Sequence, residues 1–203
     1  KRLTMVYAGS CKVLGTTGLS PVYLAAGVGG LNASSAPHQP FNQIGLAGIE
    51  QIYDTNLLFS HDEIDDLGDG GYYVFVQDST AGLAYTVHQV TTGQIDNPGV
   101  QEFAELSVVR DFDYVSLVMK ARLSPFVGTW NFIPEATNAV ADTITSAIES
   151  LKADFRPKIG APLLSGAITS IGPAASDSSV MEAFVEVTLP KVLNTLVVHL
   201  VSQ

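Results

Sequence analysis

Pro21-Val22-Tyr23-Leu24-Ala25-Ala26-Gly27-Val28-Gly29-Gly30-Leu31, followed by Ala36-Pro37-His38-Gln39-Pro40, is the stretch on which the reading of this chain turns. Ser20 is a good N-cap, and Pro21 suits the first helical position, where its missing N–H costs nothing. A helix is therefore predicted from Ser20 to about Leu31, stopping in Asn32-Ala33-Ser34-Ser35-Ala36-Pro37. Gly27, Gly29 and Gly30 each weaken such a helix by up to about 1 kcal/mol relative to Ala. It persists only when tightly packed, so its small residues predict close backbone approach. A phosphate-cradling loop places its glycines between a strand and a helix. These lie inside the helix, and no Gly-Lys-Ser/Thr follows.

Upstream, residues 3–8 read as a buried strand and residues 9–19 as a Gly/Thr-rich connection. Downstream, residues 60–67 read as a short helix capped by Ser60 with Glu63 three residues on. It ends in Gly68-Asp69-Gly70-Gly71. Residues 72–77 and 84–91 read as strands around the turn Asp78-Ser79-Thr80-Ala81-Gly82, and residues 94–99 as a loop. Two amphipathic helices follow. One carries Val108, Phe112, Val115 and Met119 on a stripe. The other starts at Pro134, carries Val140, Ile144, Ile148, Leu151 and Phe155, and ends at Pro157. Residues 161–171 and 183–189 read as strands joined by the polar loop 172–179, and residues 193–202 as a last strand-forming run. Strands and helices are interspersed, so the fold class is mixed α/β (α+β), a β-sheet core flanked by helices.

Composition narrows the function. Only 15% of residues are charged while 46% are hydrophobic, whereas soluble domains average about a quarter charged. The shortfall points to a surface covered by other subunits. With 20 acidic against 10 basic residues and a net charge of −10, no Lys/Arg patch is visible for phosphate, so nucleic acid is not an expected partner. No apolar run reaches the roughly 18 residues that span a bilayer, so membrane insertion is not expected either. Cys11 is the sole cysteine, which excludes an intrachain disulfide and argues against a cysteine-based zinc site. Opening at Lys1 directly on a strand-like run, the sequence reads as a piece of a longer chain.

Chemistry is scarce. The acidic run 61–70 invites a calcium reading, but Ile64 and Leu67 break the alternation of oxygen ligands and Glu63 comes too early. It reads instead as a solvated helix end. His38, His61, His88 and His199 are scattered, and no Ser stands in a Gly-x-Ser-x-Gly elbow. Trp130 either stacks on a ligand or packs as a staple before the helix. No catalytic, cofactor or metal site is expected. The alternative from a different class is a soluble α/β enzyme or ligand-binding domain whose histidines converge with an acid in a pocket.

Three segments resemble contractile phage tail sheath proteins, in that family's order. The first is residues 21–40 with Leu46-Ala47-Gly48-Ile49. The second is Thr86-Val87-His88-Gln89-Val90-Thr91-Thr92, leading to Val108-Val109-Arg110-Asp111-Phe112-Asp113-Tyr114-Val115 and Ala121-Arg122-Leu123-Ser124-Pro125-Phe126-Val127-Gly128. The third is Val185-Glu186-Val187-Thr188-Leu189-Pro190 with the hydrophobic run after it. The resemblance is to the inner, C-terminal part of a sheath subunit, without the N-terminal arm and outer insertion domains. It implies residues 1–92 as the end of the sheath α/β core region, 93–189 as a C-terminal region packing on the same core, and 190–203 as a C-terminal arm. It also implies copies that polymerise around a tail tube, partners in tube, baseplate and tail terminator proteins, and contraction that drives the tube through the host envelope. The location implied is the contractile tail of a virion, assembled in the bacterial host cytoplasm.

In the same family, terminal arms donate strands to neighbouring sheets. The candidate interface here is Leu193, Thr195, Leu196, Val197, Val198, His199, Leu200 and Val201. Leu196, Val198 and Leu200 alternate with Thr195, Val197, His199 and Val201, so the run is apolar on both faces and carries no charge that would protect an edge. Burying about five large apolar side chains returns about 1.5–3 kcal/mol each, while ordering about ten residues costs roughly 1–2 kcal/mol apiece. The two nearly cancel, so one donated strand holds weakly and a lattice of them holds well. The other reading is that this strand completes its own subunit's sheet.

Overall fold

The computed structural model describes residues 3–7, 10–53, 60–77, 84–96 and 104–191, and these form two compact units. One comprises the described residues up to Val109, with Lys191. The other is Arg110–Pro190.

The first unit holds two three-stranded sheets. β1 (Met5–Tyr7) pairs in parallel with β5 (Tyr72–Val76), whose other side takes β6 (Tyr85–His88) antiparallel. The Tyr-Tyr-Val-Phe-Val run of β5 is aromatic and β-branched throughout, as a central strand buried on both faces requires. Tyr73, Val74 and Phe75 are all buried, and the Tyr73 hydroxyl reaches Thr86 Oγ1 at 3.1 Å.

The second sheet has the order β3-β2-β4, from β2 (Ser10–Val13), β3 (Thr16–Leu19) and β4 (Ile49–Tyr53). Residues 10–19 are thus a hairpin and not the connection expected over 9–19. The reason lies in two residues, Leu14 at φ 46° and Gly15 at φ 83°, both left-handed as a two-residue turn between twisted strands demands. Leu14 does not advertise that conformation.

α1 (Val22–Ser34) follows, with Pro21 in the capping position and without a side-chain cap. Ser20 Oγ accepts from Val22 N–H at a long 3.4 Å, so the expected Ser20 cap is replaced by a Pro21 start one residue later. The helix also runs three residues past Leu31. Leu24 and Val28, one turn apart, enter a core shared with Cys11, Phe41, Leu46 and Tyr73. At Gly27 a Cβ would come within 2.8 Å of Leu46 Cδ1, whereas Gly29 and Gly30 face open space. Close approach therefore explains one of the three glycines.

α2 (His61–Asp69) is closed by the expected capping box: Glu63 N–H donates to Ser60 Oγ at 3.3 Å, and Ser60 N–H donates to Glu63 Oε2 at 2.8 Å. α3 (Gly93–Asp96) is a four-residue turn of helix where a loop is predicted. Thr91 organises it, its backbone oxygen accepting from Gln94 N–H and its Oγ1 from Gly93 N–H. The turn at 78–82 lies outside the described residues.

The second unit is built from most of α4 (Leu106–Leu123), α5 (Pro134–Ala153) and the antiparallel hairpin β7 (Ser165–Pro173) and β8 (Met181–Thr188). Val140, Ile144, Ile148 and Leu151 of α5 are buried as the stripe predicts. They pack with Val115, Val118 and Met119 of α4 and with Ile168, Ile171, Val185 and Val187 of the hairpin.

Phe155 lies beyond the helix end at Ala153 and is 69% exposed, so Pro157 is not the terminator. On α4, Phe112 is 44% exposed while Asp111 is fully buried. At 100° per residue, Ser107, Asp111, Val115 and Val118 share one arc, and that arc is the buried one. Residues 161–163 are buried but not in a strand; β7 starts at Ser165. The ladder also outlasts the predicted loop, with Gly172 pairing Glu182 and Pro173 pairing Met181.

Candidate assembly surfaces

The hairpin leaves both of its outer edges without a strand among the described residues. Its two strands pair with each other over the full length of β8, from Ser165 opposite Thr188 to Pro173 opposite Met181. Among the described residues neither strand pairs with a third. An edge strand presents a row of N–H and C=O groups to whatever strand arrives, and a two-stranded sheet is marginal until it is extended or backed by a helix.

Here one face is backed. Ile168, Ile171, Met181, Val185 and Val187 turn toward the α5 core. The other face carries Ala167, Glu182, Phe184 and Glu186 in solvent. The register shifts between Ile168 and Ser170, where Thr169 is the extra residue and its Oγ1 donates to Phe184 O at 3.1 Å. That bulge twists β7 and limits what can pair along it. β8 is the more regular edge.

Beside the first residues of β8 lies an apolar cleft of about 540 Å³, walled by the strap after α4, the start of α5 and residues 179–183. The strap begins as a 3-10 turn, Ser124–Phe126, and Thr129 Oγ1 donates to Pro125 O, which closes it on itself. Trp130 leans on Phe126 with ring centroids 5.3 Å apart, yet half of Trp130 remains in solvent. The aromatic is thus a wall of an open groove, neither a buried staple nor part of a polar ligand site. Val127 is 80% exposed, and Phe132, Ile133 and Val180 are also exposed. Apolar groups concentrated this way mark an interaction surface more often than chance placement does.

Titratable groups are placed differently. Asp111 is fully buried, with no hydrogen-bond partner for either carboxylate oxygen. Desolvation pushes it up to about 7 against a weaker lowering by Arg110. Glu63 is held below the usual carboxylate range by hydrogen bonds from Ser60, the backbone N–H first and the hydroxyl second. His88 Nε2 lies 3.2 Å from Asp65 Oδ1 on the surface, and His38 is buried. Neither the cleft above nor a second one between α4 and α5 is lined by a histidine. No three His, Cys, Asp or Glu side chains gather as a metal site would need, among the described residues.

Leu193, Thr195, Leu196, Val197, Val198, His199, Leu200 and Val201 all lie outside the described residues. The open edge of β8 and the aromatic cleft were not singled out from sequence as surfaces. A hint was present in Val127, Trp130, Phe132 and Ile133, four large apolar residues within seven positions and outside any periodic element.

No protein-family model matches the sequence, and neither does any curated protein. Solved structures do. A chain of the anti-feeding prophage (AFP) baseplate superposes with a TM-score of 0.73 at 16% identity, covering 98% of this chain and 54% of its own length. The AFP helical sheath in its contracted state gives 0.71 at 17% identity, covering 98% and 56%. A sheath tail protein from Desulfitobacterium hafniense gives 0.64 at 14% identity, covering 93% and 45%. The chain spans about half the length of the structures it matches. Across nearly all of its residues, it has the mixed α/β fold of contractile tail sheath proteins.

Proposed function

We propose that this chain is a structural subunit of a contractile tail sheath, polymerising around a tail tube and shortening to drive the tube through a host envelope. The observation that carries the reading is the superposition of 98% of the chain on an AFP helical sheath subunit. A fortuitous match would cover one motif; this one covers both compact units. The role is mechanical, and its partners are copies of itself, the tube, the baseplate and a tail terminator. Its place is the tail of a virion or phage-like particle, assembled in the bacterial cytoplasm. Residues 1–92 and 93–189 form the core and C-terminal regions of the subunit, and 190–203 the arm.

Linkage between subunits is assigned to strand addition. Residues 193–201 of one copy supply an uncharged strand, and the hairpin of another supplies the open edge. Backbone hydrogen bonds give the affinity in such a joint and alternate side chains give the fit. The joint survives rigid-body movement of the subunits because it sits on an arm.

Electron microscopy of the purified chain beside Val198→Pro tests this. Proline removes a ladder N–H and is excluded from the middle of a sheet. Regular hollow tubes from the native chain and none from V198P are expected. Tubes from both would remove this strand from the linkage, and a native chain that stays monomeric at all concentrations would overturn the sheath role.

A further inference from the structure

We infer that the tip of the β2–β3 hairpin is a docking knob, and that Leu14 at its apex fills the Trp130 cleft of a second copy of this chain. The sheath reading supplies the many copies; the contact itself uses residues outside the proposed strand joint.

Leu14 is unusual on two counts. It is 80% exposed, and its backbone sits at φ 46°. Leucine adopts that left-handed conformation at a cost, whereas Asn, Asp or Gly would supply it freely at such a turn. With so little of the side chain buried, the fold gains almost nothing from a leucine there. Strained residues of this kind cluster where a chain meets a ligand or partner. The tip is also held in place. Leu14 N–H donates to Gly48 O at 3.1 Å. Gly15 N–H donates to the Glu50 carboxylate, which Lys12 Nζ meets at 2.7 Å. A knob already fixed in shape loses little further freedom on docking.

Charge and size select the receptor. Between Lys12 and Glu50 the sequence has no Asp, Glu, Lys or Arg, so the tip fits a site that offers no ion pair. The cleft is such a site. Its lining among the described residues, with Val127, Trp130, Phe132 and Val180, includes no charged side chain. Its volume of about 540 Å³ is one that takes a drug-sized ligand, and so has room for Leu14 and the turn that carries it. Knob and cleft are different surfaces, one on each unit. A contact between them on separate copies is heterologous, so it joins copies head to tail and repeats, as a ring or an open array. An open array is what the proposed sheath needs.

Thiol pairing tests the contact. Leu14→Cys and Val180→Cys are made in separate full chains and together in one, then concentrated and oxidised mildly; the native Cys11 is buried. Expected are a covalent dimer from the mixture of L14C and V180C, and a ladder of multimers from the doubly substituted chain. Peptide mass spectrometry should place the disulfide between the two introduced thiols. Leu14→Asn reads the knob without oxidation. It suits a left-handed turn better, so it should melt higher than the native chain yet need at least tenfold more protein to associate. Trp130 is the only tryptophan. Its emission should shift to the blue and lose iodide quenching severalfold as the native chain associates, and stay unshifted in L14N over the same range. Phe155→Ser, at an exposed position outside the cleft, should change neither association nor emission.

Association of L14N at native concentrations with Trp130 shielded would overturn the inference. So would a doubly substituted chain that links to itself as a monomer, or a Trp130 shift present at every dilution. Tubes that form with Trp130 still quenchable and no cross-link would overturn it while the sheath reading stands. Cross-linked chains that never build tubes would support the contact and sink that reading.

Discussion

The two units treat their sheet edges differently. In the first unit, the outer side of β6 is occupied by residues 43–45: Gln43 N–H donates to Thr86 O at 2.6 Å, and Thr86 N–H donates to Ile44 O at 3.4 Å. Gly45 forms a further bridge to Tyr85. On β4, Ile52 N–H is met by the buried side chain of Gln77 at 3.1 Å. In the second unit, β7 and β8 have each other and, among the described residues, no third strand. The first unit spends a local loop and a side-chain amide on covering its β6 and β4 edges, while β1 and β3 end its sheets without a further strand among the described residues. The second leaves its edges available, which a chain selected to remain a monomer avoids. That difference supports the proposed linkage through the hairpin of the second unit.

Acidity offers the largest break in the comparison. Asp111, in the second unit, has a folded-state value of about 7 against 3.8 for an ordinary Asp. Between those values the folded chain holds a proton that the unfolded chain has lost. Stability therefore falls as pH rises from about 4 to about 7 and levels off above, by on the order of 4 kcal/mol. Urea unfolding at pH 5 and pH 8 should show the second unit weaker at the higher pH. Asp111→Asn should flatten that dependence and leave the first unit unmoved. A native second unit equally stable at both pH values would mean that Asp111 is solvated.

Core truncation comes next. Ile144 is 1% exposed at the centre of the α5 core, and Ile144→Ala should cost about 2–5 kcal/mol. Loss of that core also removes the backing of the hairpin, so amide exchange should rise along β7 and β8 and remain slow along β5. Uniform exchange across both units would show that they unfold as one.

The edge-closing role of Gln77 gives a smaller effect in the other unit. Gln77→Leu leaves Ile52 N–H without that acceptor at nearly unchanged side-chain volume, at a cost of about 1–3 kcal/mol. Thermal unfolding should shift for the first unit alone. An additional sign would be oligomers through β4, the strand newly left open.

What could be read in the sequence divides along the same line. α5 and the hairpin strands were legible because apolar periodicity is a property of one segment. The stripe on α4 was rotated because hydrophobicity alone discounts Ser107 and Asp111, two polar residues that lie in its buried arc. The β2–β3 hairpin was missed because Leu14 adopts a left-handed conformation that no propensity assigns to leucine. Open edges could not be read at all, since an edge is defined by the absence of a neighbour that only tertiary structure supplies. The fold persists at 16–17% identity, which fits a chain constrained by shape and edges more than by individual side chains.

The mildest substitutions test whether the first unit is as self-contained as its covered β6 and β4 edges suggest. Gly29 and Gly30 of α1 are exposed, have ordinary helical backbone, and would seat a Cβ with nothing within 4 Å. For a free monomer each Gly→Ala change should stabilise by about 0.5–1 kcal/mol, through the unfolded chain's lost freedom. Gly27→Ala differs, because Leu46 Cδ1 must move aside, and it should be neutral or slightly costly. G29A/G30A should therefore melt higher than the native chain while G27A does not. If the double variant is more stable yet forms no tubes, the bare face of α1 is also a subunit contact, and assembly is not confined to the second unit. Unchanged tubes would leave the open hairpin as the point of linkage.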